Sequence, residues 1–186
     1  VVDNATTPLS DQTFFHVSVA ETNRPPVLAR IVDQTVDETN TLTFIVTAGD
    51  PDQPPNALTF SLDADAPAGA SIDSKTGAFT WTPNETQGPS DYMVNVSVTD
   101  SGRPQLTDRQ TVAIHVREVN RPPTILPIGD RSIAPGRELR FNVVANDPDI
   151  PANGLTFSLG ANSPVGAQIN PLTGEFDVIY QMPFVH

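Results

Sequence analysis

The sequence Asn120-Arg121-Pro122-Pro123 repeats an earlier stretch, Asn23-Arg24-Pro25-Pro26. The two copies begin 97 residues apart (120 − 23 = 97). The same offset relates Leu58-Thr59-Phe60-Ser61-Leu62 to Leu155-Thr156-Phe157-Ser158-Leu159, an identical run of residues. A fixed period is typical of tandem structural repeats. It predicts a unit of about one hundred residues, repeated end to end with Asn-Arg-Pro-Pro as the joint.

The offset divides the chain into one whole unit and two partial units. The whole unit comprises residues 24–120. Residues 121–186 are the N-terminal part of a following unit, which we call the third unit. Residues 1–23 are predicted to be the last two strands of a preceding unit. Their alternating apolar residues match those of a late strand in the whole unit: Phe15, Val17 and Val19 correspond to Val112, Ile114 and Val116.

Apolar and polar residues alternate throughout the whole unit, which is the period of a half-buried strand. The breaks between the alternating runs hold Gly, Pro, Asn and Asp, and the 19 prolines leave little room for helices. The predicted fold class is therefore all-β, with about seven short strands per unit in an Ig-like β-sandwich. The predicted core residues are Phe44, Phe60, Leu62, Phe79, Trp81, Tyr92, Val94, Val96 and Ile114.

The composition narrows the classes of function. The net charge is −12 and the chain has no cysteine. Nucleic acid and anionic membrane surfaces select basic proteins, so neither is an expected partner. Disulfides and zinc–thiolate sites are excluded, and the apolar runs are far shorter than the roughly 20 residues that span a bilayer. The excess of acids is either a solvated surface or a set of cation ligands.

Several motifs carry a resemblance to a known family. They are Asp50-Pro51-Asp52, Pro67-Ala68-Gly69-Ala70-Ser71-Ile72, Thr76-Gly77-Ala78-Phe79-Thr80-Trp81-Thr82-Pro83, Tyr92-Met93-Val94-Asn95-Val96-Ser97-Val98-Thr99-Asp100 and the Asn-Arg-Pro-Pro joint. In this order and spacing they resemble the dystroglycan-type cadherin-like domain, a tandem Ig-like repeat of bacterial surface and secreted proteins. The resemblance covers nearly the whole chain.

The resemblance implies a fragment of a membrane-anchored protein, extracellular or on the cell surface, whose repeats serve adhesion or form a stalk. It implies no catalytic activity, and the sequence shows no catalytic motif. The expected partners are other cell-surface proteins, polysaccharide or a second copy of the chain. Two alternatives are a metal-free structural spacer and a carbohydrate-binding module of a secreted enzyme, for which Tyr180 and Phe184 would supply aromatic rings.

Cadherins proper bind Ca²⁺ between successive domains, so the resemblance also implies a calcium cofactor at each joint. Ca²⁺ takes about six to eight oxygen ligands, mostly carboxylates and carbonyls. At the first joint the implied ligands are Glu21, the Asn23 carbonyl, Asp50, Asp52 and Asp100. At the second joint they are Glu38, Glu118, the Asn120 carbonyl, Asp147 and Asp149.

Two departures from the cadherin pattern favour a different interpretation of the joints. Arg24 and Arg121 stand where the cadherin linker carries an acid, and Trp81-Thr82-Pro83 occupies the region of the cadherin Asp-Arg-Glu motif. A fixed positive charge repels a divalent cation. As an alternative to Ca²⁺, Arg121 neutralises Asp147 and Asp149 and the joint holds no metal.

Other residues have plainer interpretations. Trp81 alternates with Phe79, so we expect it in the core rather than on the surface as a platform for sugar rings. His115 faces outward on a late strand and has no equivalent in the other units, which is typical of a surface histidine.

Overall fold

The computed structural model describes residues 1–18 and 21–179, and the regular structure in these residues is all β-strand. The strands of the whole unit are β1 Val27–Leu28, β2 Gln34–Asp37, β3 Leu42–Ile45, β4 Ala48–Gly49, β5 Leu58–Leu62, β6 Ser71–Ile72, β7 Ala78–Trp81, β8 Ser90–Asp100 and β9 Thr107–Arg117. Those of the third unit are β10 Thr124–Ile125, β11 Glu138–Asn142, β12 Ala145–Asn146, β13 Gln168–Ile169 and β14 Glu175–Ile179. A search of the same residues for a membrane-spanning helix finds none.

The whole unit is a sandwich of two sheets, as the alternating pattern predicts. One sheet has the strand order β2-β9-β8-β5, with β2 parallel to β9 and the other pairs antiparallel. The other sheet has the order β3-β7-β6, and β1 pairs separately with β4. Strands β8 and β9 are both 11 residues long, and their inward-facing valines and Ile114 are fully buried.

The predicted core is confirmed. Trp81 and Phe79 are 0% exposed, and the other predicted residues are buried or pack against the buried cluster. The Trp81 ring meets Tyr92 edge to face at 4.9 Å, and its Nε1–H donates to the Ala68 carbonyl at 3.2 Å. Since burial of large aromatic rings dominates the energetics of sandwich cores, Trp81 is a structural residue and does not form a platform for sugars.

The turn before β7 is set by Asp73 and Gly77, whose equivalents in the third unit are Asn170 and Gly174. Asp73 accepts hydrogen bonds from the Thr76 and Lys75 amides, at 2.7 and 3.0 Å. Gly77 follows with φ at +68°, and a Cβ there would overlap the Val46 carbonyl oxygen. Only glycine combines that backbone conformation with so close an approach.

The third unit repeats the front of the sandwich without a counterpart of β8 and β9 in the residues described. Strand β11 pairs with β14, and Phe141 stacks on Phe176 at 4.8 Å just as Phe44 stacks on Phe79 at 4.6 Å. Residues 155–159 form no strand. An open apolar cavity of about 370 Å³, lined among others by Phe141 and Phe157, lies where the whole unit has a closed core.

The prediction that residues 1–23 form two strands is wrong for the part of that segment that the structure describes. An isolated bridge between Val2 and Ser10 is the strand-like pairing observed there. Phe15 is 84% exposed and Val17 is 77% exposed, and Val19 lies outside the described residues. A two-stranded ribbon with no sheet to cover its apolar face is marginal in water, which explains the difference.

Candidate metal centre at the joints between units

The first joint is closed by Arg24. Its backbone amide donates to Asp52 Oδ2 at 3.1 Å and its Nε donates to Asp52 Oδ1 at 2.9 Å, while its Nη2 contacts the Pro51 carbonyl oxygen. Asn56 adds a third donor, from Nδ2 to Asp52 Oδ2 at 3.2 Å. Both oxygens of the buried Asp52 carboxylate are therefore occupied by N–H groups of the chain itself.

Asn23 joins the first joint to the loop that follows β8. Its Nδ2 donates to Asp100 Oδ2 at 2.9 Å and to the Pro104 carbonyl at 2.8 Å. A Cβ at Gly102 would overlap the Asn23 side chain, so glycine is needed where the two meet. The side-chain amide of Asn23 makes these contacts, whereas the sequence had suggested its carbonyl.

The remaining ligands predicted at the first joint are largely occupied as well. Asp100 Oδ1 accepts from the Gly102 and Leu106 amides at 3.0 and 3.1 Å. Asp50 Oδ1 accepts from the Asp52 and Asn56 amides, and Glu21 accepts from the Gln53 amide at 2.8 Å. Asp50 Oδ2 is the atom of this set that is buried and without a partner among the described residues. This joint does not fit a metal ion.

The second joint repeats the arginine contacts of the first. The Arg121 amide and Nε both donate to the Asp149 carboxylate, at 3.0 and 3.2 Å, and Nη2 donates to the Pro148 carbonyl at 2.9 Å. Asn153 Nδ2 bridges Asn120 Oδ1 and Asp149 Oδ2, at 2.9 and 3.2 Å. Asp147 supports the same loop by accepting from the Asp149 amide. The arginine pairs with Asp149 as predicted, but its second acidic partner is Glu85 rather than Asp147.

A cluster of three glutamates lies beside this second joint. Glu38 follows β2, Glu85 lies in the turn after β7, and Glu118 follows β9, so three separate strands bring the carboxylates together. One oxygen from each lies within 4.8 Å of the others. Glu38 is 1% exposed, and its Oε2 and both oxygens of Glu118 are buried without a hydrogen-bond partner among the described residues. We call these three residues the glutamate cluster.

The pKa shifts of the carboxylates run in opposite directions at the two joints. Burial, followed by the charges of Glu38, Glu85 and Asp149, raises the pKa of Glu118, against the opposing charge of Arg121. The hydrogen bond from the Arg24 amide lowers the pKa of Asp52. For Asp100, burial would raise the pKa, but the bonds from Leu106, Asn23 and Gly102 outweigh it. The first joint thus stabilises its carboxylates as ions, whereas the glutamate cluster sets three carboxylates against the guanidinium of Arg121, which Asp149 shares.

Glu85 is the residue that sequence reasoning missed. Trp81-Thr82-Pro83 stands in the region of the cadherin acidic motif, so the sequence was interpreted as lacking that motif. The acid lies two residues beyond Pro83, where the turn directs it back to the joint. Asn56 and Asn153 were also missed, although they stand 97 residues apart (153 − 56 = 97), which was the signal that could have found them.

The family is shown by comparison with known sequences. The profile of the family described as "Putative Ig domain" matches residues 25–117, which is half of the chain. The chain belongs to this family. Among curated proteins it is similar to human Protocadherin Fat 4, with 30% identity over 89% of the chain, and to the Drosophila melanogaster protocadherin-like wing polarity protein stan, with 29% identity over 78%. It spans 4% and 5% of the lengths of these two relatives.

Solved structures show the same fold at low sequence identity. A mouse cadherin-23 structure of repeats EC22-24 aligns over 87% of this chain and 56% of its own length, with a TM-score of 0.55 and 22% identity. A human protocadherin-24 structure of repeats EC1-2 aligns over 85% and 79%, with a TM-score of 0.55 and 17% identity. The fold is the cadherin-like β-sandwich, and the chain is an extracellular or cell-surface repeat of a family that is typically non-enzymatic.

Proposed function

We propose that this chain is an adhesion or stalk module of a tandem cell-surface array, and that its second joint binds one Ca²⁺ ion at the glutamate cluster. The observation that carries the proposal is the set of buried carboxylate oxygens of Glu38 and Glu118, which have no partner among the described residues. A buried carboxylate without a partner is costly, and a bound cation removes that cost. The cluster therefore fits a cation, in contrast to the first joint.

The chemistry of the three residues selects a hard divalent cation. Carboxylate oxygens suit Ca²⁺, which tolerates irregular geometry, whereas Mg²⁺ requires a tight octahedron and gives up its water reluctantly. A Cβ at Gly88 would lie 2.7 Å from Glu38 Oε2, so glycine leaves that carboxylate free to face the cluster. Since Glu38, Glu85 and Glu118 come from both ends and the middle of the whole unit, a shared cation would fix the unit against its joint.

A thermal melt tests this proposal. Trp81 is the single tryptophan of the chain and is buried in the whole unit, so its fluorescence reports the unfolding of that unit alone. We expect millimolar Ca²⁺ to raise the melting temperature relative to a chelator, with a stabilisation of about 2.7 kcal/mol when the free ion is at 100 times its Kd. Mg²⁺ at the same concentration should have a smaller effect.

The variant Glu118→Gln separates the cation from other effects. In chelator it should melt at the wild-type temperature or above, because the raised pKa of Glu118 shows that its charge is unfavourable there. In Ca²⁺ it should gain much less than the wild type. Asp91→Asn, an exposed carboxylate on the same unit, is the matched control and should respond to Ca²⁺ as the wild type does. Identical wild-type melts with Ca²⁺ and chelator would favour a metal-free spacer.

We also propose that the partner of the array is a cell-surface protein or a second copy of the array. One structural neighbour, the structure of protocadherin gammaB7 repeats EC3-6, is a cis-dimer of that protein. Support for a sugar partner is weaker, because Trp81 is buried, and Tyr180 and Phe184 lie outside the described residues. Bead aggregation with the immobilised chain, measured with and without Ca²⁺, would distinguish binding to a second copy from binding to another protein. Membership of the bacterial dystroglycan-type group remains part of this proposal.

A further inference from the structure

We propose that Arg24 and Arg121 are built-in cations that lock the acidic loop of each following unit, residues 50–56 and 147–153, without a metal ion in that loop. This inference does not require the glutamate cluster to bind Ca²⁺, although Arg121 also contacts Glu85 of that cluster. It divides the acids predicted as calcium ligands into two groups. The buried loop acids Asp52 and Asp149 are held by the arginines, whereas Glu38 and Glu118 of the glutamate cluster have no arginine partner in the described structure and remain for a cation.

The saturation of the Asp52 and Asp149 carboxylates is the first observation. At the first joint, Asp52 receives the Arg24 amide, the Arg24 Nε and the Asn56 side chain. At the second joint, Asp149 receives the equivalent three donors, from Arg121 and Asn153. A metal ion would have to displace these N–H groups to reach the same oxygens. The arrangement is therefore closed to a cation while the arginine is in place.

The repetition of this geometry is the second observation. In both joints the guanidinium reaches past the acid to the carbonyl of the proline between the two aspartates, Pro51 or Pro148. Both joints also use an asparagine that links the acid to the first residue of the joint. The same set of contacts, 97 residues apart, is what a defined structural element produces and what an incidental surface ion pair does not.

The burial of the acids shows that the arginines matter more than an ordinary surface ion pair. Asp52 is 1% exposed and Asp149 is 2% exposed, although each arginine side chain is partly in solvent. Removal of the arginine side chain leaves a buried carboxylate with fewer donors, which is costly in a way that loss of an exposed pair is not. Lysine cannot replace it, because an ammonium group lacks the planar fork that reaches the acid and the carbonyl together.

Amide hydrogen exchange of the 186-residue chain in chelator tests the inference. The probes are the Arg121, Asp149 and Asn153 amides, all of which donate to loop carboxylates. We expect these amides to be protected in the wild type without Ca²⁺. In Arg121→Gln they should exchange roughly 10- to 100-fold faster, the range for losing hydrogen bonds to a charged group, and Arg121→Lys should restore little of the protection.

The controls separate a local effect from unfolding and from the proposed function. Arg117, a few residues before Arg121, has an exposed guanidinium that pairs with Asp37. Arg117→Gln removes this group and should leave the loop amides as in the wild type. Trp81 fluorescence should show the same midpoint for Arg121→Gln and Arg117→Gln, which excludes global unfolding. Glu118→Gln, which abolishes the proposed Ca²⁺ site, should also leave loop protection unchanged.

Two results would overturn the inference. One is unprotected loop amides in wild-type chelator samples that become protected when Ca²⁺ is added, since that would assign the loop to a metal. The other is Arg121→Gln exchange at the wild-type rate. Arg121 also contacts Glu85, so the Ca²⁺ response of the glutamate cluster is measured by the melt of the wild type and Glu118→Gln, not on an Arg121 variant, and the two proposals fail separately.

Discussion

The same five residues, Leu-Thr-Phe-Ser-Leu, form a strand in the whole unit and no strand in the third unit. At residues 58–62 they are β5 and pair with β8. At residues 155–159 the described structure contains no strand. The local surroundings are otherwise alike, because the phenylalanine amide donates to a carbonyl of the neighbouring turn at 2.9 Å in both units, Phe60 to Ser74 and Phe157 to Pro171.

The difference between these copies shows which part of the fold is local and which part depends on distant partners. The turn contact, the glycine turn and the stacked phenylalanine pair all persist in the third unit. The backbone ladder of β5 is lost because it requires β8, which in turn is held by β9. Strand propensity thus favours an extended segment, but only a paired neighbour makes it a strand.

The largest contrast should come from shortening the equivalent phenylalanines. Phe60 is buried in the closed core, whereas Phe157 lines the open cavity of the third unit. Phe60→Ala should lower the free energy of unfolding reported by Trp81 by about 3–5 kcal/mol, as for other core phenylalanines. Phe157→Ala should change it by less than about 0.5 kcal/mol, because Phe157 packs in the third unit and makes no part of the core that Trp81 reports. Urea unfolding followed by Trp81 fluorescence measures both, and equal effects would contradict the contrast.

A smaller effect is expected at the glycine that both units share in the turn before the β7 or β14 strand. Gly77 has φ at +68° and Gly174 has φ at +67°, and each approaches a carbonyl of the strand segment beside it. Gly77→Ala should destabilise the whole unit by about 1–3 kcal/mol, the usual cost of such backbone strain. Gly174→Ala should leave the Trp81 transition in place. A Gly77→Ala protein that unfolds at the wild-type urea concentration would show that the turn is not strained.

The smallest effect concerns pH and the residue that opens the same turn. Asp73 has a lowered pKa, mainly through the Thr76 amide, whereas its equivalent Asn170 accepts similar hydrogen bonds without a charge. A lowered pKa means that ionised Asp73 stabilises the fold above its ordinary pKa of 3.8. That contribution is lost as the pH falls through the lower folded pKa. Asp73→Asn should therefore lose less stability than the wild type between pH 7 and about pH 3.

Acid-induced shifts of the Trp81 midpoint measure this difference. Asp65→Asn, which removes an exposed acid of the same unit, is the control and should retain the wild-type pH response of the turn. If Asp73→Asn and the wild type lose stability in parallel, the turn hydrogen bonds of Asp73 do not depend on its charge.

The fold was largely predictable because its determinants are periodic and repeated. Alternation identified the inward residues, including Trp81, and the offset of 97 identified the joints. The prediction failed for the described part of residues 1–23, where apolar alternation is present but the structure places no sheet over it. Alternation predicts which face a strand would bury and says nothing of whether a partner strand is available.

The sequence predicted the arginine pair of the candidate site but not the glutamate cluster, because a turn brings Glu85 to the other two glutamates. The pairing of Arg121 with Asp149 follows from charge and from the short separation of the joint and the loop. The approach of Glu85 to Glu38 and Glu118 depends on the path of the turn after β7, which no local pattern in the sequence specifies. The separation into arginine-held and free carboxylates required the donors, among them the missed Asn56 and Asn153.

The number of calcium ions bound per chain is the measurement that tests the account most directly. Titration calorimetry of the 186-residue chain counts them, with Glu85→Gln and Glu118→Gln as variants that neutralise the cluster. The account predicts one ion per wild-type chain, since Arg24 and Arg121 hold the buried loop acids Asp52 and Asp149, and none in either variant. No binding to the wild type would contradict the calcium proposal, and two or more ions per chain would show that the acidic loops also bind metal.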